Sequence, residues 1–231
     1  SIGGSRANGW SMSASGLAGV WATGNTRNEI FAAFKRREVY ATSGPRLRVR
    51  VFGGWNFHPE AVSASDFASR GYSAGVPMGG ELAAGSRPDE AASPQLMIRA
   101  SKDPLGANLD RIQVVKGWVD ASGETREKVY NVAWSAGREL DAAGKLPPVG
   151  NTVDIATTLY SNSIGSAELS TVWTDPDFNA GQAAFYYVRV LQIPTPRHSL
   201  YDAVALQIEP PAEGPATIQE RAYTSPIWYT P

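Results

Sequence analysis

Apolar and polar positions change period once along the chain. Over "NTRNEIFAAFKRR" (residues 25 to 37) Ile30, Phe31 and Phe34, with Ala33 beside them, fall on one face at helical spacing. Thr26 and Glu29 have the spacing of a capping box, in which the Thr oxygen accepts from the N–H of Glu29 and the Glu reaches back to the N–H of Thr26. Lys35, Arg36 and Arg37 place positive charge at the end where a helix favours it. The preceding "GLAGVWA" reads as a short buried strand, so residues 16 to 38 form a strand-then-helix unit of the α/β kind. After it, "VYATSGPRLRVRVFGG" switches to a period of two, with Leu47, Val49 and Val51 on one face and Arg46, Arg48 and Arg50 on the other.

From there the pattern predicts strands near 46–52, 94–101, 110–119, 126–134, 152–160, 167–173, 183–193, 203–208 and 226–229. Asp120, Ser122 and Gly123 suit a tight reversal between two of them. "FYYVRVLQI" is continuous in β-branched and aromatic residues, as a central strand is. Stretches 56–93, 135–151 and 209–222 lack strand character and read as long surface loops. Many strands separated by turns predict an antiparallel β-sandwich. No internal repeat is visible.

Composition agrees: 23 Gly and 16 Pro favour many short elements joined by turns. A net charge of -1, with no basic tail, gives no electrostatic reason to expect nucleic acid or an anionic membrane as partner. No apolar run approaches the ~20 residues of a membrane span, and no signal peptide is visible. Cysteine is absent, which excludes disulfides and thiolate chemistry and is compatible with an oxidising compartment. The Gly/Ser-rich opening "SIGGSRANGWSMSASG" reads as a loop and hints at truncation or processing.

Catalytic motifs are scarce. His58 and His198 are the two histidines, in separate contexts, and H-x-H, H-E-x-x-H and D-x-H patterns are missing, so no transition-metal site is expected within the chain. No G-x-S-x-G, S-x-x-K or P-loop motif is present. In "DPDFNAGQAAFY", Asp175, Asp177 and Asn179 have calcium-loop spacing, but Ala180 and Tyr186 stand where Gly and Glu belong, so a turn with Asx hydrogen bonds is expected. Lys102, Asp103 and Asp110 of "SKDPLGANLD" surround a pocket or form a polar turn; the adjacent His198 and Ser199 make a poor dyad. Trp134, Trp173 and Tyr187 lie in strand-like runs and are expected in the core, whereas Trp10 and Trp55 lie in loops, where exposed rings could stack on sugars.

Two sets of residues carry a family likeness. "GLAGVWATGNTRNEIFAAFKRREVYATSGPRLRVRVFGG" resembles the closing strand and helix of the polymerase-and-histidinol-phosphatase (PHP) type of metal-dependent hydrolase barrel. "VPMGGEL", "KDPLGANLDRIQVVKGW", "KVYNVAWS", "FYYVRVLQIPTPR" and "ERAYTSPIWYTP" resemble the C-terminal half of an uncharacterised bacterial family, domain of unknown function 3604, whose members carry such a barrel. The resemblance implies a fold that is mainly β, with residues 1–45 ending an incomplete PHP-like α/β barrel and residues 46–231 forming the sandwich. It implies divalent metal ions, zinc or manganese, held upstream of residue 1 and none held by this chain, and a periplasmic or secreted setting. It places Trp21 to Arg27 on the loop that leaves the last barrel strand on the active-site face. On that basis Asn25 and Arg27 are candidate substrate-binding residues, and Trp55 and His58 join them from their setting in the loop after the first sandwich strand. Asn25 merely preceding the helix cap and Arg27 standing in solvent are the alternatives.

Two functions follow as expectations. The first is the C-terminal part of a metal-dependent hydrolase acting on a small phosphoester or related ester, partnered by the upstream part of the same protein or by that part as a separate chain. The second is a non-catalytic β-sandwich that binds a glycan or protein, or a structural cap of the enzyme domain.

Overall fold

The structure is a computed structural model that describes residues 14–135, 137–210 and 214–231. Trp10 lies outside the described residues. In chain order the elements are β1 (Leu17–Val20), α1 (Arg27–Lys35), β2 (Val39–Thr42), β3 (Arg48–Gly54), α2 (Phe67–Ala74), β4 (Gly75–Pro77), β5 (Glu81–Ala83), β6 (Gln95–Ser101) and β7 (Leu109–Val119). They continue with β8 (Thr125–Trp134), β9 (Glu168–Thr174), β10 (Ala184–Gln192), β11 (Thr195–Pro196), α3 (His198–Leu206), β12 (Thr217–Ile218), β13 (Arg221–Thr224) and β14 (Ile227–Thr230).

The fold is mainly β. The larger sheet has eight strands around β10, which pairs with β7 along one edge and with β13 and then β14 along the other; β7 carries β8, β13 leads to β2 and β1, and β14 pairs with β5. The smaller sheet runs β4-β3-β6-β9. All pairs are antiparallel except β14 with β5. β10 alternates fully buried with half-buried residues, as the central strand of a sheet covered on one face should. Its Tyr186, Val188 and Val190 meet Val49, Val51, Leu96 and Ile98 of the smaller sheet in one apolar core, giving a sandwich-like arrangement.

A second, smaller core lies on the outer face of the smaller sheet, where Phe52 and Met97 pack against Phe57, Ala61 and Phe67. Residue 71 of α2 has to be glycine, because a Cβ there would run into the Phe52 ring. α2 and the 3-10 turn Pro59–Val62 fall inside a stretch expected to be loop. The helix escapes sequence reading because one of its two buried positions carries no side chain.

Two expected strands are not strands. Residues 203–208 belong largely to α3, whose Leu200 and Ala203 are buried and whose last turn ends in a left-handed Gln207 (φ 55°). A short apolar run carries no period of its own. Residues 152–160 form turns held by Asp154, which accepts from the N–H of Ala156, while Ile155 and Leu159 stand exposed.

The strand and helix expected at a barrel's end form a β1–α1–β2 unit whose strands pair antiparallel, Leu17 opposite Thr42, and β2 is hydrogen-bonded to β13 of the large sheet. α1 is capped by Thr26, whose Oγ1 accepts from the N–H of Glu29 at 3.3 Å. The reciprocal half of the expected box is absent: the Glu29 carboxylate accepts from the Thr23 hydroxyl instead. Ala33 is fully buried, yet Phe31 is 61% exposed, Phe34 47% and Leu17 45%. The apolar face of α1 therefore remains partly uncovered.

Candidate functional site

The alternation of β3 puts Arg48 and Arg50 on the face of the smaller sheet that turns away from the main core. Register then places Ser101 opposite Arg48 and Arg99 opposite Arg50. Like charges directly opposite one another on a sheet are unfavourable, and here they border a hollow of about 280 Å³ whose walls also include Trp21, Ser65 and Phe67.

Two of the three guanidinium groups are fixed by the fold. Arg50 lies over the Trp21 ring at 4.5 Å and donates to the Tyr72 hydroxyl at 3.0 Å. Arg99 lies over Phe67 at 4.6 Å and donates to the backbone carbonyls of Val62 and Ala64, the latter at 3.0 Å. Trp21 is itself held by donating its indole N–H to the Val49 carbonyl at 2.9 Å, so the unit that carries α1 supplies one wall. Burial, followed by its hydrogen bond to Glu38, pushes the Tyr72 hydroxyl above its ordinary pKa, so it stays protonated as donor to Glu38 at 2.6 Å. Glu38 is engaged in turn by Arg36 at 3.1 Å. None of Arg48, Arg50 and Arg99 is in an ion pair among the described residues.

A second concavity, of about 530 Å³, opens on the outer face of the larger sheet between Trp118, Phe185 and Trp228, with Arg126 and Glu127 at its side. Phe185 stands directly opposite Gly117, and a Cβ on Gly117 would strike its ring, so the ring lies flat over the strand. Trp228 packs against Phe185 at 5.3 Å and is 43% exposed. These rings fall within β7, β10 and β14, and the sequence singled out none of them as exposed; the signal that could have found them is the glycine that leaves room for Phe185.

The expected site residues do not converge on either concavity. Asn25 and Arg27 are exposed at the start of α1 and neither lines the arginine hollow, although Trp21, four residues before Asn25, does. Trp55 is half-buried, packs edge-on against Phe178 and Tyr229, and donates its indole N–H to Ser86 at 2.9 Å. His58 is exposed at the start of the 3-10 turn and makes no side-chain cap there.

The calcium-like spacing of Asp175 and Asp177 resolves into an Asx turn: the Asp177 N–H donates to Asp175 Oδ1 at 2.9 Å. Their remaining oxygens accept from Lys116, Tyr186, Lys128 and Tyr130. Among the described residues no three His, Asp or Glu side chains converge as metal ligands. No helix of the described residues is long and apolar enough to cross a membrane.

No curated protein and no solved structure is significantly similar to the chain. The family model described as "Protein of unknown function (DUF3604)" matches residues 2–231, and the chain belongs to that family.

Proposed function

We propose that this DUF3604 chain is the accessory β-sandwich of a metal-dependent hydrolase acting on a phosphoester or related ester, with zinc or manganese held by an α/β domain that precedes it. The observation that carries the reading is the uncovered apolar face of α1. Phe31 and Phe34 lie exposed on a helix tied into the sheet by β1 and β2, and a rigid apolar surface of this kind favours burial against a further domain. The arginine hollow, walled by Trp21 of the same unit, is a natural neighbour for an anionic ester. A Cys-free sequence suits the periplasmic or secreted setting that we assign to it.

The test is to produce the chain together with the polypeptide that precedes it in its gene, measure bound metal, and assay hydrolysis of aryl phosphates and other aryl esters. Metal-dependent hydrolysis by the longer protein, weakened by Phe31→Asp with Phe34→Asp, is the expected result. A longer protein that binds no metal and cleaves no ester removes the proposal.

A second reading is a glycan-binding module, and the flat Phe185 beside the exposed Trp228 favours it. Such a platform matches the apolar face of a sugar ring, with Arg126 and Glu127 available to its hydroxyls.

A further inference from the structure

We infer that the hollow framed by Arg48, Arg50 and Arg99 is a binding site for a doubly charged tetrahedral oxyanion, phosphate or sulfate, either free or as the head of a small monoester. This inference stands whether or not the hydrolase reading does.

The charge balance comes first. Arg50 and Arg99 face each other across the β3–β6 ladder and Arg48 stands two residues along the same face, so three permanent positive charges share one hollow. Among the described residues no carboxylate lines it. Arg50 and Arg99 are held by neutral partners, a hydroxyl and two carbonyls, which fix their direction without forming an ion pair. Glu38 is reached from Arg50 only through Tyr72, and it already serves Arg36. A fold that spends aromatic stacking and backbone carbonyls on aligning like charges leaves repulsion that an anion would relieve.

Donor supply comes second. Among the described residues the Arg48 side chain makes no hydrogen bond, nor do Nε and Nη1 of Arg50 or Nη1 of Arg99. Ser65 and Ser101, each carrying a hydroxyl, also line the hollow. Planar guanidinium forks bind phosphate-like oxygens in pairs, and several forks with two hydroxyls exceed what a single carboxylate can accept.

Size comes third. The volume of about 280 Å³ lies at or below the ~300–1,000 Å³ of pockets for drug-sized ligands, which restricts the occupant to a small anion or headgroup. The Trp21 wall would then face the organic part of an ester.

Isothermal titration calorimetry of the intact chain at low ionic strength, with inorganic phosphate, sulfate, phenyl phosphate and acetate in turn, tests the site. Saturable binding of phosphate or sulfate, weakened by added salt and by roughly tenfold or more in Arg48→Gln, is expected. Arg48 is exposed and, among the described residues, its side chain makes no hydrogen bond or ion pair, so the variant keeps the wild-type melting temperature. Lys145→Gln, remote from the hollow, keeps wild-type binding. Phenyl phosphate binding more tightly than inorganic phosphate supports an ester headgroup, and equal binding supports the free ion; both uphold the site. No saturable heat with either oxyanion, binding unchanged in Arg48→Gln, or acetate binding as tightly as phosphate would overturn it.

Discussion

The Lys116 ammonium lies 2.6 Å from Asp175 Oδ2, with side chains 4% and 0% exposed. Lys116 also donates to the Asp177 carbonyl at 2.8 Å, and the Tyr186 hydroxyl donates to the same Oδ2 at 2.7 Å, so both charges are well coordinated. The pair fastens the segment between β9 and β10 to β7. Removing one partner of a buried pair strands the other charge, at a cost of about 3–5 kcal/mol. Asp175→Asn should therefore lower stability by about that much in urea unfolding, while Lys116→Met with Asp175→Leu and Tyr186→Phe, which leaves no side-chain charge or hydroxyl stranded, should recover part of it. A single variant costing less than about 1 kcal/mol would mean that water reaches the pair.

Stability should form a plateau in pH with two limbs. Asp177 is held below the ordinary carboxylate range first by Lys128 and then by Tyr130, and Asp120 by Ser122 and then Arg126. A folded-state pKa below the unfolded value of about 3.9 gives stability that is complete above that pH and is lost as pH falls through the folded value. Tyr186 is pushed up by burial and then by the Asp175 charge, and Tyr130 by burial and then by its hydrogen bond to Asp177. Their contribution is complete below about pH 10 and is lost as pH rises beyond it. Unfolding free energy measured from acid to alkali should show both limbs, and Tyr186→Phe should flatten the alkaline one. An alkaline limb unchanged in that variant refutes the assignment.

Phe31 and Phe34 are largely exposed, so replacing both with Ser should shift unfolding free energy by only about 1 kcal/mol. The same change should reduce binding of an apolar dye and any concentration-dependent association seen by sedimentation. A loss of several kcal/mol would show instead that the rings support the fold of this chain itself.

Trp228→Ala should abolish any quenching or shift of tryptophan fluorescence on titration with oligosaccharides while leaving the fold intact, because Trp228 is an exposed position of β14. Gly117→Ala tests the platform from beneath, since the added methyl must displace the Phe185 ring. Glycan binding that survives both changes lies elsewhere on the protein.

Much of the architecture follows from local pattern. β10 announces itself as a central strand, α1 through Thr26 and its apolar face, and β3 through its alternation. The misreadings share a cause, which is that contact partners are invisible in one dimension. "AVALQI" looks like a strand until Ala203 is seen to be buried beside Leu200 on a helix. "FASRGYSA" looks like a loop because Gly71 meets Phe52 without a side chain. Sites suffer more than elements. Alternation set Arg48 and Arg50 on one face, but nothing local places Arg99 opposite Arg50 or Trp21 above it. Trp55, in contrast, looked free in its loop and spends its ring on Phe178 and Tyr229.

The position of β13 between β2 and β10 has a kinetic consequence. The N–H of Arg221 donates to Ser43 Oγ across a sequence separation of 178 residues, and Ala222 stands opposite Thr42. During synthesis at ~5–20 residues per second, β2 waits roughly 10–35 s for that neighbour. Loop closure over such a span also makes folding slow for the chain's size. Until β13 arrives, the β1–α1–β2 unit presents a bare backbone edge beside exposed phenylalanines, and chaperone occupancy in that interval should centre there.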